Sequence, residues 1–225
     1  MNKIHSTVVM IGNVELGDNN EILPYSVLIG PLKIGNGNWI GPQVAIGTPG
    51  EDTKNPRHDS SECRIEIGNN NIIREHVAIQ KPCYEEITRI GDDTFLMHGS
   101  HVPHDAILSN KVTLAPNVVV GGISKLLEGC NIGMGATLHQ YSVIGHYSIV
   151  ATNSAAIKNV KPFSRFIPGK PNSVNTYAIN KYGFTQWQEE INAYVLQDIK
   201  PESIEIRSII EEFENLHFKS GRSLY

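Results

Sequence analysis

Apolar residues recur at every sixth position along most of the chain. A first ladder reads Ile4, Met10, Leu16, Ile22, Leu28, Ile34, Ile40 and Ile46. It breaks across "GTPGEDTKNPRHDSSECRIE" and resumes in a new phase as Ile67, Ile73 and Ile79. After a second break at "QKPCYEEITR", a third phase runs Ile90, Leu96, Val102, Leu108, Leu114, Val120, Leu126, Ile132, Leu138, Ile144, Val150 and Ala156. A period of six is neither the period of about 2 of a half-buried strand nor the 3.6 of an amphipathic helix. It belongs to the parallel β-helix solenoids. Each apolar residue plugs the inside of a short flat wall, and a turn follows, often with Gly or Asn, as in "IGNGNW", "IGDDTF" and "IGMGAT". Three walls make one triangular coil of about 18 residues, and coils stack at about 4.8 Å.

The pattern predicts a β-helix over 1–160. Its phase breaks place corner loops at 47–66 and 80–89, because a solenoid accepts insertions only as loops leaving a corner. Loops on a rigid scaffold commonly carry binding groups. Beyond Ala156, "IKNVKPFSRFIPGKPNSVN" is rich in Pro and turn formers and should leave the coil. Residues 161–225 predict an extension and an α-helical domain. Thr185 is the expected cap of "QWQEEINAYVLQDI", and Pro201 fits the first turn of "PESIEIRSIIEEFENL", with Glu202 and Glu205 near its positive end. Helices there would cover the last coil, whose open edge otherwise invites aggregation.

Composition narrows the function classes. The 225 residues are 40% hydrophobic and carry a formal charge of −4, which argues against nucleic acid or a polybasic membrane anchor. The N-terminal apolar run is broken by Gly12, and no stretch approaches the ~18 apolar residues of a spanning helix. Cys63, Cys83 and Cys130 form no CxxC pair and are odd in number, so they read as reduced thiols. A cytoplasmic protein is expected.

One stretch departs from the apolar pattern. "HVPHDAIL" puts His101, His104 and Asp105 into a wall of the solenoid. Stacking by coil places Gln80 and Lys81 one level below, and Gly121 and Gly122, then His139 and Gln140, above. A histidine accepts a hydroxyl proton near neutral pH. Asp105 or a carbonyl would fix its tautomer, and a glycine N–H at the next level could hold a thioester oxyanion. This points to acyl transfer. Corner histidines that are merely solvated are the plain alternative, and His5, His58, His76 and His217 read as idle. Metal binding is the rival chemistry: the zinc-dependent hydratases among hexapeptide solenoids pair histidines five apart, and no pair here has that spacing. His98, His101 and His104 are spaced by three, which does not converge them on a β-helix, so no metal site is expected. A non-catalytic solenoid scaffold is a further alternative.

With these residues in view, the chain resembles the acyl-carrier-protein-dependent UDP-N-acetylglucosamine O-acyltransferases of lipid A synthesis. The resemblance rests on "RIEIGNNNIIREHVAI", "HVPHDAIL", "LHQYSVIG", "KPFSRFIPGKP" and "INKYGFT" and spans nearly the whole chain. It implies a left-handed β-helix, a homotrimer with sites between neighbouring prisms, and no permanently bound cofactor. It implies His104 as general base, Asp105 as its partner and Gly122 as the oxyanion donor. Asp52, Lys54, His101, His139, Gln140, Asn175 and Lys181 would bind substrate. Thr152 matches the position that ends the acyl groove, where a side chain in place of glycine implies a shorter acyl group. Gln80, Ile123, Tyr177 and the Lys181-Tyr182 pair depart from the family pattern, which leaves the substrates open. The donor is acyl carrier protein or coenzyme A, and an N-acyltransferase of a nucleotide-linked amino sugar is the alternative. Lys161, Arg165 and Lys170, in an interval without Asp or Glu, suit a phosphate-bearing pantetheine carrier.

Overall fold

The computed structural model describes residues 1–54 and 62–225; residues 55–61, with His58 and the middle of the 47–66 stretch, lie outside the described residues. Among the described residues, short strands form sheets of ten, eight and seven strands, the three faces of a triangular prism. The first face begins with Lys3–Ile4, the second with Val9–Ile11 and the third with Val14–Leu16. Each strand pairs in parallel with the strand one coil on, as Lys3 does with Glu21 and Val9 with Val27. A single antiparallel pairing, Ser164–Phe166 with Ser173–Val174, closes the first face. The chain is thus a parallel β-helix, with a helical tail after it.

The rungs account for the core. From Ile22 to Ala156 every rung of the three ladders is buried in one continuous cluster. Each buried aliphatic side chain stabilises the fold by about 1.5–3 kcal/mol. Ile4 and Met10 differ, being 44% and 39% exposed, because no described coil lies beneath them. The phase breaks also resolve physically. Ile46 pairs with Ile79 and Ile79 with Val102, so the extra residues are carried outside the ladder. Both insertions leave the corner between the second and third faces.

Corner turns need one residue with left-handed φ, and here side chains other than glycine supply many of them. At the corner of the two insertions these are Asp105 (φ +61°), Ile123 (+62°) and Tyr141 (+64°).

The tail differs from expectation in three places. The stretch after Ala156 stays with the solenoid for one more layer: Val160 bridges to Ile144, and Ser164–Phe166 pairs with Ile149–Val150. Thr185 does not cap the second helix. It opens a 3₁₀ turn, Thr185–Trp187, and its hydroxyl bonds Asn180 at 3.4 Å. Pro201 and Glu202 precede the third helix, which starts at Ile204 with Ser203 as its N-cap and keeps Glu205 in its first turn. The helices are α1 (Thr176–Lys181), α2 (Gln188–Gln197) and α3 (Ile204–Ser220). α2 covers the last strand, while α3 lies along the flank of the third face, with Phe213 against Leu127 and Val143. Among the described residues no helix is long and apolar enough to cross a membrane.

Candidate active site

His104 and Asp105 follow the strand His101–Val102 on the second face and turn the corner. The left-handed backbone at Asp105 aims its carboxylate back, so that Oδ2 lies 2.7 Å from His104 Nδ1. The carboxylate is fully buried. It also accepts the backbone N–H groups of Cys83 (3.0 Å), Tyr84 (3.2 Å) and Glu85 (2.9 Å), while the Asp105 N–H donates to Thr88 Oγ1 at 2.9 Å. Burial pushes the Asp105 carboxyl up, but His104 and those N–H donors outweigh it and hold it below the usual range. One buried carboxylate therefore orients the histidine and ties the second insertion to the prism.

Above His104 sits Gly122, where a Cβ would lie 2.5 Å from both Cε1 and Nε2 of the imidazole. Only glycine leaves room for the ring there. Its neighbours' N–H groups are spent, Gly121 on the Leu138 carbonyl and Ile123 on that of His104, whereas among the described residues the Gly122 N–H has no backbone acceptor. A donor and a base thus flank one space. That space is a cavity of about 360 Å³ lined by Gln80, His101, His104, Gly122, His139 and Gln140, among others.

The first insertion reaches the same place. Tyr84 lies with its ring 5.9 Å from that of His104 and donates its hydroxyl to Asp52 at 2.7 Å. Asp52 is held below the ordinary carboxylate range by that bond and by the Lys54 N–H, and the Tyr84 hydroxyl is pushed up to about 12. Asp52 and the backbone of Lys54 are thus brought to the rim. His101 lines the cavity, burial pushes its imidazole below the ordinary value, Glu51 Oε2 lies 4.0 Å away, and among the described residues its Nε2 has no hydrogen-bond partner. Cys83 is also close, but burial and the neighbouring Asp105 push its thiol up to about 11, so it is not a nucleophile near neutral pH. His139 lines the cavity, and its Nδ1 lies 2.5 Å from the Arg222 guanidinium.

Three predicted positions lie elsewhere in the chain. Asn175 and Lys181 border a small recess beside Tyr177 and Tyr182. The Asn175 side chain is buried there, capping α1 and donating to the Tyr147 carbonyl at 2.8 Å. Thr152 lies at the corner after the first face and shares a hollow with Arg165 and Phe166. Of the basic interval, Arg165 and Lys170 are exposed, but Lys161 is buried against Asp198 and is not free for a carrier phosphate. Lys81, stacked below His104 by register, is buried as well. His98 pairs with Glu75 and abuts His76, away from His104, and among the described residues no group of three or more His, Cys, Asp or Glu is arranged to hold a metal.

Tyr84, Thr88, Glu51 and Arg222 escaped sequence reasoning. Tyr84 and Thr88 stand in the second phase break, where the ladder gives no register. Arg222 reaches His139 across a separation of 83 residues that no periodic signal spans.

No family model matches the chain. Curated relatives do. The acyl-(acyl-carrier-protein)–UDP-N-acetylglucosamine O-acyltransferase of Synechocystis is 34% identical over 151 residues, 67% of this chain and 53% of that protein. The chain thus spans about half the length of that relative. The enzyme of the same description from Syntrophobacter fumaroxidans is 28% identical over 218 residues, covering 88% of this chain and 82% of the relative. Among solved structures, a UDP-N-acetylglucosamine acyltransferase from Bacteroides fragilis superposes with a TM-score of 0.83 at 26% identity, covering 100% of this chain and 98% of that one. One from Francisella novicida gives 0.82 at 21%, covering 99% and 91%. The fold is therefore the left-handed β-helix of those enzymes. In sequence and in fold the chain is a homologue of the acyl-(acyl-carrier-protein)–UDP-N-acetylglucosamine O-acyltransferase family.

Proposed function

We propose that the protein transfers an acyl group from a thioester, on acyl carrier protein or coenzyme A, to a hydroxyl of a nucleotide-linked sugar such as UDP-N-acetylglucosamine. The observation that carries this reading is the His104–Asp105–Gly122 arrangement, with Asp105 on Nδ1 and a glycine N–H beside the other edge of the ring. His104 Nε2 takes the proton of the sugar hydroxyl as its oxygen attacks the thioester carbonyl carbon. The Gly122 N–H receives the oxyanion. On collapse the C–S bond breaks, and the imidazolium returns its proton to the leaving thiolate, so the histidine ends neutral. Asp105 keeps the imidazole in the tautomer that can accept.

Gln140, His101 and His139 line this space, Asp52 stands beside it on the Tyr84 hydroxyl with Lys54 next to it, and these five would hold the acceptor. Asn175, Lys181 and Thr152 lie at other corners of the same prism. A homotrimer, with a neighbour's flank facing the His104 corner, would bring them to the site, and we include that assembly and a cytoplasmic location in the proposal. Thr152 would then limit acyl length. The names of the relatives support the substrate pair, and lipid A synthesis is the pathway that the family resemblance implies.

The test is product identity. Purified protein is incubated with UDP-N-acetylglucosamine and a series of acyl thioesters on both carriers, and the sugar nucleotide is analysed by mass spectrometry. An O-acylated sugar nucleotide is expected. Turnover only with an amino-sugar nucleotide, giving an amide, would replace the reading by N-acylation, and turnover with neither would refute it.

A further inference from the structure

The last residues of the chain return to the prism. Gly221 (φ +63°) ends α3, and 222–225 run beside 157–160. Asn159 donates its N–H to the Ser223 carbonyl (2.9 Å), and Tyr225 donates its own to the Asn159 carbonyl (3.1 Å). Tyr225 anchors the arm. Its hydroxyl accepts the Ile157 N–H at 2.8 Å, its ring stacks on Phe166 at 4.0 Å, and Lys158 Nζ lies 5.5 Å over its face. This docking sets the Arg222 guanidinium against the Ile157 carbonyl (3.4 Å) and against Nδ1 of His139 (2.5 Å), a wall of the cavity that holds His104.

A guanidinium only donates. Nδ1 of His139 faces two groups that ask opposite things of it: the guanidinium at 2.5 Å needs its lone pair, and the Gln140 carbonyl at 3.3 Å would take a proton from it. The shorter, charge-assisted contact favours the lone pair on Nδ1 and the ring proton on Nε2. The guanidinium also brings a permanent charge with further N–H donors in a planar fork, the geometry that matches a phosphate. We propose that Arg222 is a positioning residue of the site: it fixes His139 as an Nε2–H donor and holds a phosphate group of one substrate at the cavity rim. The choice of substrate rests on the acyl-transfer reading, and the tautomer does not.

Two measurements test this. Nitrogen-15 chemical shifts of labelled histidine, with the His139 signals assigned by their loss in His139→Gln, report the tautomer without any substrate. The wild type should show Nδ1 unprotonated and Nε2 protonated, and Arg222→Ala should show a mixture. An unchanged tautomer in Arg222→Ala, or an Nδ1–H in the wild type, overturns the proposal. The second measurement is steady-state kinetics of Arg222→Ala and Arg222→Gln, with Tyr225→Ala undocking the whole arm. Each should raise one Michaelis constant tenfold or more with kcat within about threefold, and Arg222→Lys should recover part of the loss. The rise falls on the acceptor if the sugar nucleotide's diphosphate sits there, and on the donor if the pantetheine phosphate does. If neither Michaelis constant moves, the phosphate role is overturned. If the wild type acylates no sugar nucleotide, the acyl-transfer reading fails, while the nitrogen-15 shifts still decide the His139–Arg222 clamp.

Discussion

Between the third and first faces, Asn20, Asn38, Asn71 and Thr94 are buried one above the other and bond coil to coil. Asn38 donates its N–H and its amide to Asn20 Oδ1 at 2.9 and 3.0 Å, Asn71 N donates to Asn38 Oδ1 at 2.9 Å, and Thr94 N donates to Asn71 Oδ1 at 2.8 Å. Between the second and third faces, the same stacking carries Lys81, His104, Gly122 and Gln140. The two corners share a backbone and differ in where polar groups point. The buried asparagines turn inward and spend most of their hydrogen bonds on neighbouring coils, although among the described residues Asn71 Nδ2 has no partner, and the hollow outside that corner is lined by Asn36, Asn69 and Asp92 with no histidine. At the His104 corner a glycine interrupts the column, so the imidazole faces a cavity and the Gly122 N–H stays unspent on backbone. The solenoid supplies register, and in the proposed reading the side chain missing at Gly122 is what separates a reactive corner from a structural one.

Asp105 joins both functions, so Asp105→Asn should show the largest combined effect. Turnover should fall by on the order of 10²-fold or more, because the amide no longer enforces the histidine tautomer. Stability should fall by about 1–3 kcal/mol as N–H groups of Cys83, Tyr84 and Glu85 lose a charged acceptor. Kinetics, thermal melts and faster proteolysis within 82–86 check this, and loss of activity with no loss of stability would separate the two roles.

At the ladder corner the effects should split the other way. Asn38→Ala strips buried partners from Asn20, Asn71 and the Gly68 carbonyl and should cost about 1–3 kcal/mol in a denaturant titration. Its kcat and Michaelis constants should stay at wild-type values.

Acid should act on both regions, at His101 on the wall that leads into the His104 corner and at His146 between the third and first faces. Burial pushes the His101 and His146 imidazoles below the ordinary value of 6.5 in the fold. Their stabilisation is present above 6.5, where the unfolded chain is neutral too, and is lost as pH falls and only the unfolded chain takes up protons. Each contributes a loss of up to about 1.4 kcal/mol per pH unit between the two values. Melting temperatures from pH 8 to 5 should show this decline, and His101→Gln should flatten part of it.

The smallest effect concerns acyl length. Thr152 lies at the corner after the first face, away from His104 in the same chain. If a neighbouring prism brings it to the groove, Thr152→Gly should shift preference towards longer donors. Each admitted methylene is worth about 0.8 kcal/mol of burial. Competition between donors differing by two carbons reads the shift. A wild type that already prefers long chains contradicts the assignment.

The solenoid was legible because its rule is one-dimensional: a residue six places on faces the same interior, so Ile90 to Ala156 could be placed without tertiary knowledge. The His104 corner followed from the same register, since residues one coil apart stack. Where the period stops, prediction stops. Tyr84 reaches Asp52 through a loop of arbitrary length, and Thr185 starts a turn instead of a helix because Asn180 takes its hydroxyl. Lys161 read as a free cation because nothing local marks Asp198 as its partner.

The central claim is that His104 removes the proton from the attacking hydroxyl. The direct measurement is single-turnover acylation of UDP-N-acetylglucosamine by wild type and His104→Ala at equal protein and thermal stability. The predicted result is an acylation rate about 10²–10⁴ lower in the variant, with an unchanged melting temperature. A variant that acylates the sugar nucleotide at the wild-type rate would contradict the account.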